Sequence, residues 1–200
     1  VPVHAPASGR IKAIEPRPGP SGARVPAVIL DTTAPVPDGL IPNLKPETSN
    51  LKPLDWRSAR PEDLLARIDA AGICGMGGAG FPTCVKLSPP PGKHCDYLIV
   101  NGAECEPYLC ADFRLMLERA DRVRTGVEIL RRILGGCAVR LAVEANKPEA
   151  IAALERAFAD IAGDVEIVVL PVLYPQGSEK LQIYATVGRV VPEPPALPID

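Results

Sequence analysis

Residues 138–170 read AVRLAVEANKPEAIAALERAFADIAGDVEIVVL, and this stretch decides the fold. AVRLAV and VEIVVL are short apolar runs with the length of buried strands. Between them, Lys147 to Ile161 predicts a helix with Pro148 near its start, where the missing N–H has no helical partner to lose. Strand, helix, strand at this spacing is the crossover unit of a parallel sheet.

The same grammar extends in both directions. Upstream, DYLIVN (residues 96–101) is another short buried strand. A long helix is expected from about Asp112 to Leu134, because Met116, Ala120, Val123, Val127, Leu130 and Leu134 recur at alternating steps of four and three and so share one core face. The arginines between them alternate with Glu118, Asp121 and Glu128, the pattern of a solvated, ion-paired face. RPEDLLARIDAAG (60–72) predicts a helix with Pro61 in its first turn, Glu62 and Asp63 at its positive end and Gly72 as its stop. Downstream, Ser178 to Val187 predicts a short helix. Residues 60–200 are therefore expected to form an α/β domain around a parallel sheet.

Residues 1–33 follow different rules. Short apolar runs alternate with Gly and Pro turns, and VHAPASGRIKAIEP resembles the small all-β barrel-sandwich fold of biotinyl and lipoyl carriers. A carrier needs a lysine at an exposed hairpin tip. The tip candidate PRPGPSGAR has none, and Lys12 lies between Ile11 and Ala13 in an expected strand, so the fold is retained and the carrier role is not. Residues 34–59 hold prolines at 35, 37, 42, 46 and 53 and read as a linker, with Trp56 as a packing anchor at its end.

Composition narrows the function classes. Two hundred residues with 46% apolar content suffice for one large or two small domains. A formal net charge of -2 argues against a nucleic-acid binder, which normally presents a basic face. No apolar run approaches the roughly 18 residues of a membrane span, so membrane association is expected through a partner. No signal peptide is visible at the first residues. Cysteines at 74, 84, 95, 105, 110 and 137 include no C-x-x-C, a spacing that fits neither a zinc site nor an iron–sulfur cluster and suits reduced thiols in a cytosolic setting. His4 and His94 lack the spacing of a metal or catalytic pair. The end on PALPID, with no cap, reads as part of something longer.

The densest signal is GICGMGGAGFPT, Gly72 to Thr83. Gly75, Gly77 and Gly80 satisfy G-x-G-x-x-G, the dinucleotide fingerprint. That fingerprint needs a strand before it and a helix after it. Here a helix precedes it and the next strand starts only at about Asp96, so the ordinary fingerprint is rejected. Gly75, Gly77, Gly78 and Gly80 instead let backbone N–H groups turn toward one point and let a flat ring approach the chain. A planar, phosphorylated cofactor suits such a loop. Phe81 and Lys86 add a stacking face and a cation. Asn101, Glu104 and Glu106 in NGAECEPY follow the C-terminal end of one strand, and YPQGSEK (174–180) follows another. All three clusters are expected to converge at the carboxyl edge of the sheet, where open α/β folds bind ligands.

GMGGAGFPTCVKL, NGAECEPY, NKPEAI and YPQGSEK, in this order, resemble the RnfC family, the C subunits of Rnf ion-translocating oxidoreductases. More distantly they resemble the FMN- and NADH-binding flavoprotein subunit of respiratory complex I. The resemblance covers nearly all of the chain and includes its N-terminal segment. It implies a Rossmann-like parallel-sheet FMN-binding domain that exchanges hydride with NAD(H) and passes electrons onward singly. In that reading Gly75, Gly77, Gly78 and Gly80 form the FMN bed, and Lys86 and Asn101 bond to the flavin or its phosphate. Phe81 stacks on NADH, and Glu104 holds the ribityl or ring edge. Glu106 lies near the hydride-transfer position, while Gly177 and Glu179 close the site and Cys105 lines it.

The resemblance has departures. Complex I relatives have an arginine in place of Met76, an acid in place of Ala103 and two successive acids where this chain has Ser178 and Glu179. The family continues beyond the equivalent of Asp200 into an asparagine-containing segment that completes the FMN site. RnfC then carries C-x-x-C-x-x-C-x-x-x-C-P motifs for two [4Fe–4S] clusters, so clusters are expected only outside these residues. Implied partners are Rnf-type membrane subunits, a ferredoxin-linked carrier chain and NADH, with the protein peripheral on the cytoplasmic side of the bacterial inner membrane. Two other readings are a flavoprotein reductase such as microcompartment cobalamin reductase, and a docking scaffold that binds no flavin. Retention of Lys86, Asn101, Glu104 and Glu106 speaks against the scaffold.

Overall fold

The computed structural model describes residues 9–19, 22–33, 53–75, 80–193 and 196–199. The chain divides into two units, one of residues 1–53 with 70–72 and one of residues 54–69 with 73–200.

In the first unit, β1 (Arg10–Pro18) pairs antiparallel with β2 (Arg24–Asp31). The register shifts between Ile11 and Ala13, which leaves Lys12 at an irregularity inside the strand. The turn closes through Gly19 N–H to the Ala23 carbonyl at 2.8 Å, with Gly22 at φ +79°, a conformation that favours glycine. His4 and the remainder of the expected barrel-sandwich, residues 1–8, lie outside the described residues.

In the second unit, three strands form a parallel sheet in chain order: β3 (Tyr97–Asn101), β4 (Ala138–Glu144) and β5 (Val165–Leu170). Central β4 has Val139, Leu141, Ala142 and Val143 at 0–1% exposure, because a middle strand of a parallel sheet is covered on both sides. Before the sheet come α1 (Pro61–Ala70) and the short α2 (Thr83–Lys86). Gly72 follows α1 with φ +65°, the left-handed stop expected there.

The single long helix expected over 112–134 is two helices, α3 (Ala111–Glu118) and α4 (Ala120–Ile133). Arg119 breaks them at φ -137° and ψ 36°, and hydrogen bonding restarts from its own carbonyl, which accepts from Arg122 and Val123. Met116 and Ala120, on either side of the break, are both buried. The apolar stripe thus persists through the interruption, and periodicity carries no mark of it.

After β4, α5 (Pro148–Phe158) runs into a 3-10 turn (Ala159–Ile161), and after β5 comes α6 (Glu179–Val187). The core joins Val139, Leu141 and Val143 of β4 to Met116, Val127, Ala150, Leu154 and Phe158. α6 lies against β3 and β4. The arginines of α4 are ion-paired, Arg124 to Asp160 at 2.9 Å and Arg131 to Asp164 at 2.8 Å. Arg132 donates twice to the Ala59 carbonyl, tying the segment that carries Trp56 to α4. His94 is exposed and lies 3.1 Å from Asp96.

At the amino end of the sheet Cys95 and Cys137 are neighbours, and the Cys95 thiol donates to the Tyr97 carbonyl at 3.1 Å. Burial, followed by the neighbouring Cys95, pushes the Cys137 thiol up to about 11. The unfolded chain therefore loses this proton first, near the ordinary thiol value of about 8.5, and the folded state falls behind as pH rises. Denaturant midpoints are expected to be insensitive to this group below about pH 8.5 and to decline toward about pH 11, with Cys137→Ala removing that part of the decline. An identical alkaline decline in the variant contradicts the assignment.

Candidate functional site

The glycine loop has a closed base. Gly75 N–H donates to the Phe81 carbonyl at 2.9 Å and Thr83 N–H to the Ile73 carbonyl at 3.0 Å, with a bridge between Cys74 and Pro82. Gly77 and Gly78 lie outside the described residues. A Cβ on Gly75 would stand 3.1 Å from Lys86 Nζ, so the missing side chain makes room for the ammonium group. Gly80 has φ +65°. Lys86 is exposed and has no ion-pair partner among the described residues, and Phe81 is 49% exposed.

The second and third clusters are bound directly to each other. Asn101, last in β3, donates from Nδ2 to the Gly177 carbonyl at 2.9 Å, while its Oδ1 accepts from Ala103 N–H at 3.0 Å. Gly177 N–H in turn donates to Cys105 Sγ at 2.7 Å. A Cβ on Gly177 would lie 2.9 Å from that sulfur and 3.3 Å from the Ala103 carbonyl oxygen, which is why this contact takes glycine. Among the described residues no hydrogen bond joins the glycine loop to these two clusters.

The two glutamates of NGAECEPY differ sharply. The Glu104 side chain is 3% exposed, and it accepts from Asp112 N–H at 2.8 Å and Phe113 N–H at 3.2 Å, which caps the first turn of α3 from a distance. Lys147 Nζ lies 3.8 Å away. Glu106 is exposed and has no counter-ion among the described residues, as is Glu179 in the first turn of α6. Burial, reinforced by the charges of Glu104 and Glu106, raises the Asp112 carboxyl above its ordinary range. The edge of the sheet near α3 is therefore negative, and the end of the glycine loop at Lys86 is positive.

Sequence reasoning missed several residues of this edge. Glu144, last in β4 and 3% exposed, accepts from Glu104 N–H at 3.2 Å. Lys147, at the start of α5, neutralises Glu104. Gln182 donates to Asn101 from inside α6. The sequence signals for the first two are the place of Glu144 at the end of a buried strand and of Lys147 within NKPEAI. Two clefts, of ≈ 450 and ≈ 320 Å³, lie elsewhere, along α4 beside Trp56, where Arg57 stacks on the indole at 4.3 Å.

A family model described as the Nuo51 FMN-binding domain matches residues 68–200. The chain belongs to that family. Among curated relatives, the chain is 41% identical over 198 residues to the C subunit of the proton-translocating ferredoxin:NAD(+) oxidoreductase complex of Clostridium ljungdahlii, covering 99% of this chain and 41% of that protein. It is 45% identical over 201 residues to the C subunit of the ion-translocating oxidoreductase complex of Pseudomonas aeruginosa, covering 99% of this chain and 24% of that protein. It is 42% identical over 200 residues to the C subunit of the Na(+)-translocating ferredoxin:NAD(+) oxidoreductase complex of Acetobacterium woodii, covering all of this chain and 43% of that protein. The chain thus spans less than half the length of these relatives.

A solved NAD+-reducing [NiFe]-hydrogenase in its H2-reduced state superposes with a TM-score of 0.54 at 28% identity, covering 68% of this chain and 26% of that one. The parallel sheet is the fold expected for a Nuo51 FMN-binding domain. The residues present fit a flavin nucleotide: at Gly75 the absent side chain leaves room for the Lys86 ammonium, that lysine has no ion-pair partner among the described residues, and Glu106 and Glu179 are exposed carboxylates with no counter-ion among them. No helix among the described residues is long and apolar enough to cross a membrane.

Proposed function

We propose that this chain is the FMN- and NADH-binding electron-entry portion of the C subunit of an ion-translocating ferredoxin:NAD+ oxidoreductase complex. The observation that carries the reading is the separation of charge along one Nuo51-type fold, with a glycine-lined cation at Lys86 and exposed carboxylates at Glu106 and Glu179. A flavin nucleotide has the same polarity, an anionic phosphate at one end and a neutral ring with hydroxyls between. Bound FMN supplies hydride exchange with a nicotinamide and release of electrons one at a time.

The chain's own residues do the holding. Lys86 and the loop of Gly75, Gly77, Gly78 and Gly80 receive the phosphate and lie against the flavin, while the Gly75 N–H itself closes the base of the loop on the Phe81 carbonyl. Glu106 and Glu179 would accept from hydroxyl and amide donors of the bound nucleotides, Glu106 on the nicotinamide side. Phe81 offers its exposed ring to NADH. Asn101, Glu104 and Gly177 set the positions of these groups through the hydrogen bonds they already make. In the whole subunit, [4Fe–4S] clusters outside these residues would receive the electrons and supply a ferredoxin-linked chain. The membrane subunits of the complex hold the protein at the cytoplasmic face of the bacterial inner membrane.

Substitution separates the two ligands. In the intact protein, Lys86→Ala is expected to weaken FMN binding by about tenfold, the loss of one charge-assisted hydrogen bond. Phe81→Ala is expected to leave FMN affinity within about threefold while raising the KM for NADH by about tenfold. Flavin fluorescence titration and steady-state NADH oxidation measure both. Equal loss of FMN and NADH in Phe81→Ala contradicts the stacking role.

A further inference from the structure

α6 is oriented against the usual rule for an amphipathic helix. It leaves Leu181 at 42% and Tyr184 at 61% exposure, and it buries Gln182 at 2%. The buried amide is also incompletely satisfied. Gln182 Nε2 donates to Asn101 Oδ1 at 2.9 Å and to the Gln176 carbonyl at 3.2 Å, but Oε1 is buried with no partner among the described residues. An apolar side chain of the same length would fill the position without an orphaned oxygen. What the glutamine adds is the bond to Asn101, with a second, longer one to the Gln176 carbonyl.

That bond fixes an amide orientation. Asn101 Oδ1 accepts from both Gln182 and Ala103 N–H, which directs Nδ2 to the Gly177 carbonyl. Gly177 N–H then reaches Cys105 Sγ. One continuous chain of hydrogen bonds therefore runs from α6 through the end of β3 to the loop before α6 and back to the loop after β3. Glu106 and Glu179, the two uncommitted carboxylates, sit one residue beyond Cys105 and two beyond Gly177.

We propose that Gln182 is a positioning residue that acts through Asn101 to hold the loop carrying Glu106 against Gly177, in the turn that leads into α6 and Glu179, in the arrangement that binds FMN; the inference rests on the functional reading above. The Gln182 amide hydrogen-bonds to Asn101 and the Gln176 carbonyl and to neither carboxylate. Its effect on the ligand is preorganisation, so its loss appears in affinity before it appears in stability.

The test is a double-mutant cycle on the intact protein with Gln182→Met, Asn101→Ala and both together. FMN titration, thermal midpoint and hydrogen exchange at the Gly177 amide are the readouts. Gln182→Met keeps the length and removes the donor. It is expected to weaken FMN binding by about tenfold with an unchanged or higher midpoint and faster exchange at Gly177, and the double variant is expected to bind no more weakly than Asn101→Ala alone. Wild-type affinity in Gln182→Met, additive losses in the cycle, or a midpoint that falls in step with affinity each overturn the proposal, the last by assigning Gln182 to core stability. If wild-type protein takes up no FMN, the functional reading fails; the lock then stands or falls on whether Gln182→Met still accelerates exchange at Gly177.

Discussion

Glu104→Ala lowers the stability of the folded protein by about 3–5 kcal/mol, the cost of removing one partner from a buried ion pair. The substitution leaves the Asp112 and Phe113 N–H groups without their acceptor and the Lys147 ammonium, at 16% exposure, without its counter-ion. Among the described residues Lys147 then keeps the ring of Phe113, 5.4 Å away. Glu104→Gln keeps one acceptor and the shape, so its loss is smaller. Glu106→Ala, at an exposed site, is expected to change stability by less than about 0.5 kcal/mol. Chemical denaturation of the three variants measures the contrast, and equal stability of Glu104→Ala and Glu106→Ala contradicts the capping role.

Gly102→Ala is expected to be nearly as damaging, for a steric reason. An added Cβ would stand 2.8 Å from Met116 Sδ and 2.9 Å from the Ala142 carbonyl oxygen. The methionine has rotamers to use, but the carbonyl belongs to the central strand and is held by the Gly102 N–H at 2.8 Å. Relief requires β3 and β4 to part or α3 to lift, an overpacking cost of about 2–3 kcal/mol. In a protein of this size that corresponds to a fall of roughly 5–10 °C in Tm. Gly75→Ala meets only the flexible end of Lys86, so its effect is expected on FMN affinity with Tm preserved. A Gly102→Ala protein that melts with the wild type contradicts this packing.

What could be read in the sequence follows from the range of the forces involved. β4, α5 and β5 were legible because each is set by local apolar patterning and a local start signal at Pro148. The rejection of the ordinary dinucleotide turn was likewise local, since α1 lies before the glycines and β3 begins only at Tyr97. The break at Arg119 was not legible, because the stripe of Met116, Ala120 and Val127 continues across it. Nor was the difference between Glu104 and Glu106. Both are glutamates two residues apart, and only the approach of Asp112, Phe113 and Lys147 from elsewhere in the chain makes one a cap and leaves the other in solvent. Gln182 stood hidden for the opposite reason: local patterning favours burying Leu181, and the hydrogen bond to Asn101, 81 residues away, reverses it.

The measurement that bears most directly on the proposed function is an anaerobic titration of the intact, FMN-loaded protein with NADH, followed by the absorbance of the oxidised flavin. The account predicts stoichiometric FMN uptake by the wild type, bleaching of the bound flavin by one equivalent of NADH, and loss of uptake in Lys86→Ala that excess FMN restores. A folded protein that takes up no FMN, or one whose bound flavin NADH leaves oxidised, contradicts it.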